Sequence, residues 1–214
     1  MSETSDPEQG PEWVQALFTR SEGDFRFARW GRALAPVIVG TDDTGCRIFE
    51  AGIRAVAGVP GLPVTELDPG LGANFMVFLV NAWAELTEAP NLVRLIPNLT
   101  DLIANLDAQG ANQYRVFSFD EHGSIRLCIT LLRYDEVLQA VPAQTLAVGQ
   151  ALQGMLLWSD RAFTNESPIA LTEDGTCLVK PAYARLLKAA YDPALPASAR
   201  DPSFALRLAA RLPA

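Results

Sequence analysis

The segment Phe75–Val80 consists of six consecutive apolar residues. The chain is predicted to form a strand from Ala73 to Val80, and because a strand that is apolar on both faces is typical of the interior of a sheet, this strand is expected to be central. Apolar residues at helical spacing occur before and after it along the chain and predict amphipathic helices that pack on the sheet. These stripes are Cys46, Phe49, Ile53 and Val56, and Leu99, Leu102, Ile103 and Leu106.

A β-hairpin is predicted by the alternation of apolar and polar residues in segment 124–132, which follows a turn at 120–123 and a second strand-like segment at 114–119. One face of this hairpin is expected to point into the core. Further strands are predicted at Pro36–Val39 and at 62–67.

The fold class predicted from these patterns is α+β. We expect a mixed, mostly antiparallel sheet of about five strands packed by helices, and a helical C-terminal part in which prolines at 142 and 181 precede helices. The sequence contains no internal repeat, and 214 residues fit one large domain. Residues 1–10 are predicted to form a flexible N-terminal tail, and residues 11–214 a single α+β domain.

The formal net charge of −8 disfavours nucleic acid as a partner, because an acidic surface repels phosphate backbones. Four arginines, Arg20, Arg26, Arg29 and Arg32, alternate with aromatic residues. This pattern is that of an edge strand with a solvated basic face or of an anion site, and we favour the edge strand. The longest apolar runs fall far short of the roughly 18 residues that span a bilayer, so no membrane span is expected.

The compartment is left open by the sequence. Residues 1–10 are polar and acidic and do not have the pattern of a secretory signal, which indicates a cytoplasmic protein or a mature form whose signal was removed. Three widely spaced cysteines indicate free thiols, or one disulfide and a free thiol if the protein is exported.

Metal-dependent and histidine-dependent catalysis have little support in the sequence. His122 is the single histidine and lies at a predicted turn, where a solvated side chain is the ordinary outcome. Asp42 and Asp43 could contribute to a Ca²⁺ or Mg²⁺ site, but adjacent acids before a helix are more often helix caps. We therefore expect no metal and no cofactor.

The polar segment 157–167 attracts attention because two aromatic residues, Trp158 and Phe163, lie among side chains that could hydrogen-bond to a ligand. Its simplest interpretation is a loop fixed by its two aromatic residues.

Parts of the chain resemble the exported proteobacterial family called domain of unknown function 2927, which is similar to zincin metallopeptidases. The resemblance lies in Phe-Ala-Arg-Trp at 27–30, in residues 72–80 and in the half from Gln150 onward, and covers most of residues 18–200. The family has a helix reading Glu-Glu-x-x-Gln-Ala-Leu-Gly-Leu, then Asn-Asp, then Ser-x-Phe-Asn, then a helix ending in Leu-Tyr-Asp. Gln153 matches the glutamine, Leu157 the last leucine and Asp160 the aspartate.

Later positions follow the same pattern: Phe163 and Asn165 match the Ser-x-Phe-Asn segment, and 191–192 match the end of the second helix. The two glutamates are replaced by Gly149 and Gln150. The resemblance implies a zincin-like α+β fold and export to the periplasm. The zincin pattern of two histidines with a glutamate between them is absent from the sequence, so zinc has no ligands there.

The function predicted from these features is non-catalytic binding of a peptide or protein on a degenerate zincin-like scaffold. The expected binding residues are Gln153, Trp158, Asp160 and Asn165, around a shallow groove where the helix that follows Pro142 ends. One alternative is a carboxylate-dependent hydrolase with Asp160 and Glu166 as general acid and base. Another is a structural or assembly protein. The oligomeric state is not predicted.

Overall fold

The computed structural model of the protein describes residues 10–89, 91–173 and 175–212. Of the predicted tail, residues 1–9 lie outside the described residues, as do residues 213–214 of the predicted domain. The helices are α1 (Pro11–Phe18), α2 (Asp43–Gly58), α3 (Leu92–Leu95), α4 (Leu99–Ala108), α5 (Glu136–Gln139), α6 (Ala143–Met155), α7 (Pro181–Ala190) and α8 (Phe204–Ala209), with a 3-10 helix at Trp83–Glu88. The strands are β1 (Phe27–Ala28), β2 (Pro36–Val39), β3 (Phe75–Val80), β4 (Gln113–Phe119), β5 (Ile125–Arg133), β6 (Ile169–Leu171), β7 (Cys177–Val179) and β8 (Ser198–Ala199).

The main sheet has four strands in the order β2-β3-β5-β4. Strand β3 is central, as its apolar sequence predicts, and it is parallel to both β2 and β5. Strand β4 is antiparallel to β5, which confirms the predicted hairpin. Two small antiparallel sheets, β1-β8 and β6-β7, complete the fold.

The predicted α+β class with mixed sheets is therefore confirmed, but the mostly antiparallel sheet of about five strands is not. Two of the three pairings in the main sheet are parallel, because α2 connects β2 to β3, and the helices after β3 lead to β4, whose hairpin turn then returns the chain in β5 alongside β3. Hydrophobic alternation reports which face of a strand is buried and carries no information about its direction. The zincin-like fold is likewise not confirmed.

The predicted strand at 62–67 is wrong. This segment makes one isolated parallel bridge, between Val64 and Leu34, and no longer ladder among the described residues. Pro63 has no N–H to contribute to a ladder. The chain then enters a turn that Asp68 holds by accepting hydrogen bonds from the N–H groups of Gly70 and Leu71, both at 2.9 Å.

Separate hydrophobic cores cover the two faces of the main sheet. The larger core packs α1, α2, α6, α7 and α8 against one face, and the smaller packs the 3-10 helix, α3 and α4 against the other. Strand β5 contributes to both, with Cys128 and Leu132 in the larger core and Leu127 and Ile129 in the smaller. The hairpin was predicted to have one core-facing side, and this prediction is wrong because β5 is flanked by β3 and β4 and covered on both faces.

Helix α2 begins as the sequence predicts. The Asp42 side chain caps it by accepting a hydrogen bond of 2.8 Å from the N–H of Gly45. Phe49, Ile53 and Val56 are buried against the sheet, whereas Cys46 is half-buried and less enclosed than its place in the stripe indicates. The three cysteines are free thiols.

Candidate binding site

A cavity of about 500 Å³ lies beside β4, and we call it the β4 cavity. Strand β4 contributes Gln113, Tyr114, Arg115 and Phe117 to its wall. The end of α6 and the segment after it contribute the opposite wall, which includes Gln153, Trp158, Asp160 and Phe163. Arg20, from the loop after α1, completes it. The cavity is thus assembled from segments that are far apart in the sequence.

Three of the four predicted binding residues meet in this cavity. Gln153, Trp158 and Asp160 line it, near the C-terminal end of α6 where the groove was expected. Asn165 does not; it lines an adjoining recess together with Arg161. Arg20 and Thr164 line both spaces, so the recess and the cavity share a boundary.

Trp158 belongs mainly to the hydrophobic core. It is 7% exposed, its ring stacks on Phe18 with centroids 5.5 Å apart, and its indole Nε1 donates to the carbonyl of Leu152 at 3.0 Å. Phe163 packs edge-on against Trp158 and is half-buried. Phe163 therefore offers a ligand more apolar surface than Trp158 does.

Asp160 is held as a carboxylate. Hydrogen bonds from the side chain and the backbone N–H of Ser21 lower the pKa of Asp160, and the backbone bond is 2.9 Å long. Glu166 forms an ion pair with Lys180, with 2.7 Å between Nζ and Oε1, and is not among the described residues that line the β4 cavity. A general acid needs a raised pKa, so the arrangement of these two carboxylates gives no support to an acid–base pair.

A polar cluster centred on Arg115 fills one side of the cavity. The Arg115 guanidinium donates to Thr130 Oγ1 at 3.2 Å from Nε, to Gln153 Oε1 at 3.0 Å from Nη1, and to Gln150 Oε1 from Nη2. Gln150 in turn donates from Nε2 to Gln113 Oε1 at 3.0 Å. Burial lowers the pKa of Arg115 below its usual value, although the side chain stays a cation at physiological pH.

The sequence reasoning missed Arg115, although two signals pointed to it. Alternation along β4 places Arg115 on the same face as Phe117, so a charged residue occurs at a core-facing position. On α6, Gln150 and Gln153 are three residues apart and therefore share a side of a largely apolar helix. Polar residues at these facing positions indicate a buried hydrogen-bond cluster.

The arginines at 20, 26, 29 and 32 are dispersed rather than arrayed on one strand. Arg26 pairs with Asp24 at 3.0 Å and Arg32 with Asp68 at 3.4 Å, while Arg29 donates to the carbonyls of Trp30 and Leu195. The predicted edge strand is reduced to the two residues of β1. Arg20 reaches the β4 cavity, and within the described residues its buried Nε has no hydrogen-bond partner.

His122 is exposed at the turn between β4 and β5, beside Glu121 at 3.6 Å. Within residues 10–89, 91–173 and 175–212, no group of three or more His, Cys, Asp or Glu side chains is arranged to hold a metal ion. In the same part of the chain no helix is long and apolar enough to cross a membrane. Comparison with protein-family models, with curated proteins and with solved structures gives no match for this chain.

Proposed function

We propose that the protein binds an extended segment of a peptide or protein, which lies in the β4 cavity as an additional strand beside β4. The observation that carries the proposal is the position of the cavity along a strand edge. Successive strand residues point to opposite faces, yet Tyr114 lines the cavity together with its neighbours Gln113 and Arg115. A cavity that is lined by side chains from both faces of a strand must run along the edge of that strand.

The edge of β4 offers backbone groups for pairing. In the described part of the chain β4 pairs with β5 and with no other strand. The N–H of Cys128 donates to Asn74 on the β3 side, so Cys128 and its partner Phe117 form a pair without mutual hydrogen bonds. The backbone groups of Phe117, and by alternation those of Arg115 and Gln113, therefore face away from β5. Added strands use such groups for affinity.

The lining of the cavity supplies the mixture of surfaces that peptide sites use. Phe117 and Phe163 provide apolar area, while Gln153 and Asp160 provide groups that fix orientation. Strand addition gives affinity through the main chain and specificity through pockets for alternate side chains. A non-catalytic binding role is thus favoured over a hydrolase that uses Asp160 and Glu166.

The resemblance to domain of unknown function 2927 stays a prediction, as do the zincin-like scaffold and the export that it implies. The proposal of strand addition rests on the β4 cavity alone. An assembly role is a special case in which the added strand belongs to a permanent partner.

A proline substitution at the free edge of β4 tests the proposal. Gln113 is the first residue of β4, a position where proline is tolerated in strands. Gln113→Pro removes one outward-facing N–H, whereas Gln113→Ala removes the same side-chain contacts and keeps that N–H. Linear peptides selected from a random display library should bind Gln113→Pro about tenfold more weakly than Gln113→Ala, a loss of about 1.4 kcal/mol. Equal binding to both variants, or no peptide selected at all, would contradict the proposal.

A further inference from the structure

The guanidinium of Arg115 is bound entirely by neutral acceptors. Its partners are Thr130 on β5 and the glutamines Gln150 and Gln153 on α6. None of the carboxylates in the described residues forms an ion pair with it, in contrast to Arg32, which pairs with Asp68, and Arg211, which pairs with Asp192 at 2.7 Å. The positive charge of Arg115 is therefore oriented by the protein and not neutralised by it.

Such an arrangement is unfavourable unless a counter-ion arrives. Arg115 is half-buried, and its hydrogen bonds to neutral acceptors offset only part of the free energy that removing a charge from water costs. The loss of hydration lowers the pKa of Arg115, the direction expected for a cation that is moved out of water. An anionic group of a ligand in the β4 cavity would supply the missing charge.

The donors that remain suit a carboxylate. A guanidinium has five N–H groups, of which three are used by Thr130, Gln150 and Gln153, and five minus three leaves two. One of the two is on each terminal nitrogen, because each of those nitrogens donates once to a glutamine. The two oxygens of a carboxylate can accept from both terminal nitrogens of a guanidinium, which is a common paired arrangement of arginine and carboxylate. The glutamines hold the planar fork in place before a ligand binds.

The position of Arg115 indicates an internal residue of the ligand. Gln113 and Phe117 line the cavity on either side of Arg115 along β4, so a paired strand would continue past it in both directions. Arg20 adds a second cation to the cavity, and Asp160 contributes one carboxylate, which also accepts a hydrogen bond from the N–H of Ser21. The cavity lining is therefore net positive on a protein whose overall net charge is −8.

We infer that Arg115 binds the carboxylate of an aspartate or glutamate side chain in the middle of the extended segment. This inference rests on the proposed function, because it assigns one side chain of the same added strand. Specificity follows from the fork geometry, since a neutral amide of the same shape would leave the charge of Arg115 uncompensated.

The test compares selected peptides in pairs. Peptides selected against the unaltered protein from a random linear library should be enriched in Asp or Glu at one position, and replacing that residue by Asn or Gln should weaken binding about tenfold or more. The variant Arg115→Gln should abolish this difference, and Arg115→Lys should retain part of it because it keeps the charge and loses the fork. Arg54→Gln removes the same charge from an exposed position of α2 and should leave the difference between the acid and amide peptides unchanged.

The outcomes separate the two proposals. Peptides that depend on the β4 edge but show no acidic preference would overturn the assignment of Arg115 and leave strand addition standing. Failure to select any peptide would overturn both. Because the acid and amide peptides are compared first on the unaltered protein, the absence of an acidic preference overturns the assignment even if Arg115→Gln does not fold, and Arg115→Lys then tests whether an observed preference depends on Arg115.

Discussion

The ring of Phe75 lies so close to the α-carbon of Gly154 that a methyl group built on Gly154 would come within 2.5 Å of two ring carbons. This contact brings the last turns of α6 directly onto β3, the central strand. It also allows the indole Nε1 of Trp30 to donate to the carbonyl of Gly154 at 2.8 Å. The distance between helix and sheet at this point is set by the absence of a side chain.

Gly154→Ala is therefore expected to destabilise the protein by about 1–3 kcal/mol, because the ring and the helix must move apart. Gly149→Ala is the matched control on the same helix, since a Cβ at Gly149 would meet no atom within 4 Å. That control should stabilise the protein by about 0.5–1 kcal/mol, the usual gain for alanine in a helix. Urea unfolding of both variants measures the difference, and equal midpoints would contradict the packing described.

Trp158→Ala is expected to cost about 3–5 kcal/mol of folding stability, because the indole is enclosed by Phe18, Phe163 and Tyr183. Phe163→Ala should lower the folding stability less than Trp158→Ala does, since the ring of Phe163 is half-buried. It should weaken the binding of selected peptides more. Thermal unfolding and peptide binding measured on the same samples separate the two roles. A Trp158→Ala protein that unfolds like the unaltered one would show that the indole is not a core residue.

Asp68 should make the free energy of unfolding depend on pH. Burial acts to raise the pKa of Asp68, but hydrogen bonds from Gly70, Leu71 and Asn74, together with Arg32, hold it below its usual value. A carboxyl whose pKa is lower in the folded state stabilises the fold above its unfolded pKa of about 3.9, and this contribution is lost as pH falls through the folded pKa.

Asp68→Asn is accordingly expected to lower the unfolding midpoint by several degrees at pH 7. The difference from the unaltered protein should shrink as the pH falls below about 4. Thermal melts across a pH series measure it. A difference that stays constant with pH would mean that the ionised carboxylate contributes nothing. Glu50→Gln, at an exposed position in the middle of α2, serves as the control.

Cys128 should resist modification. Burial raises the pKa of its thiol to about 11, so the reactive thiolate is scarce at neutral pH. Iodoacetamide should label the half-buried Cys46 and Cys177 before Cys128, and label all three at similar rates in urea. Mass spectrometry of peptides from timed samples gives the order. Early labelling of Cys128 in the native protein would show that the sheet opens locally.

Local patterns in the sequence were sufficient for most elements. Asp42 was predicted as a helix cap from its place before the α2 stripe, and the hairpin from its alternation and turn. Strand direction could not be predicted, because Phe75–Val80 is equally apolar in a parallel or an antiparallel pairing. The strand predicted at 62–67 is wrong because Pro63 prevents a ladder that its apolar neighbours would otherwise favour.

The candidate site was predicted in part for a physical reason. Gln153, Trp158 and Asp160 are close in sequence, so their meeting at the end of one helix follows from local structure. Arg115 belongs to a strand that reaches them through the tertiary fold, and no local pattern specifies that approach. Alternation along β4 places the charge of Arg115 at a core-facing position, but its meeting with Gln150 and Gln153 depends on how β4 packs against α6.

Because Arg20, β4 and the segment after α6 come from distant parts of the chain, a molecule that occupies the β4 cavity can bind only when all three are assembled. Occupancy is then linked to the assembly of these three parts, and a ligand at a hundred times its dissociation constant adds about 2.7 kcal/mol to the free energy of unfolding. A rise in melting temperature is consequently a sensitive way to search for the natural ligand. Such a screen responds to ligands of any chemical class.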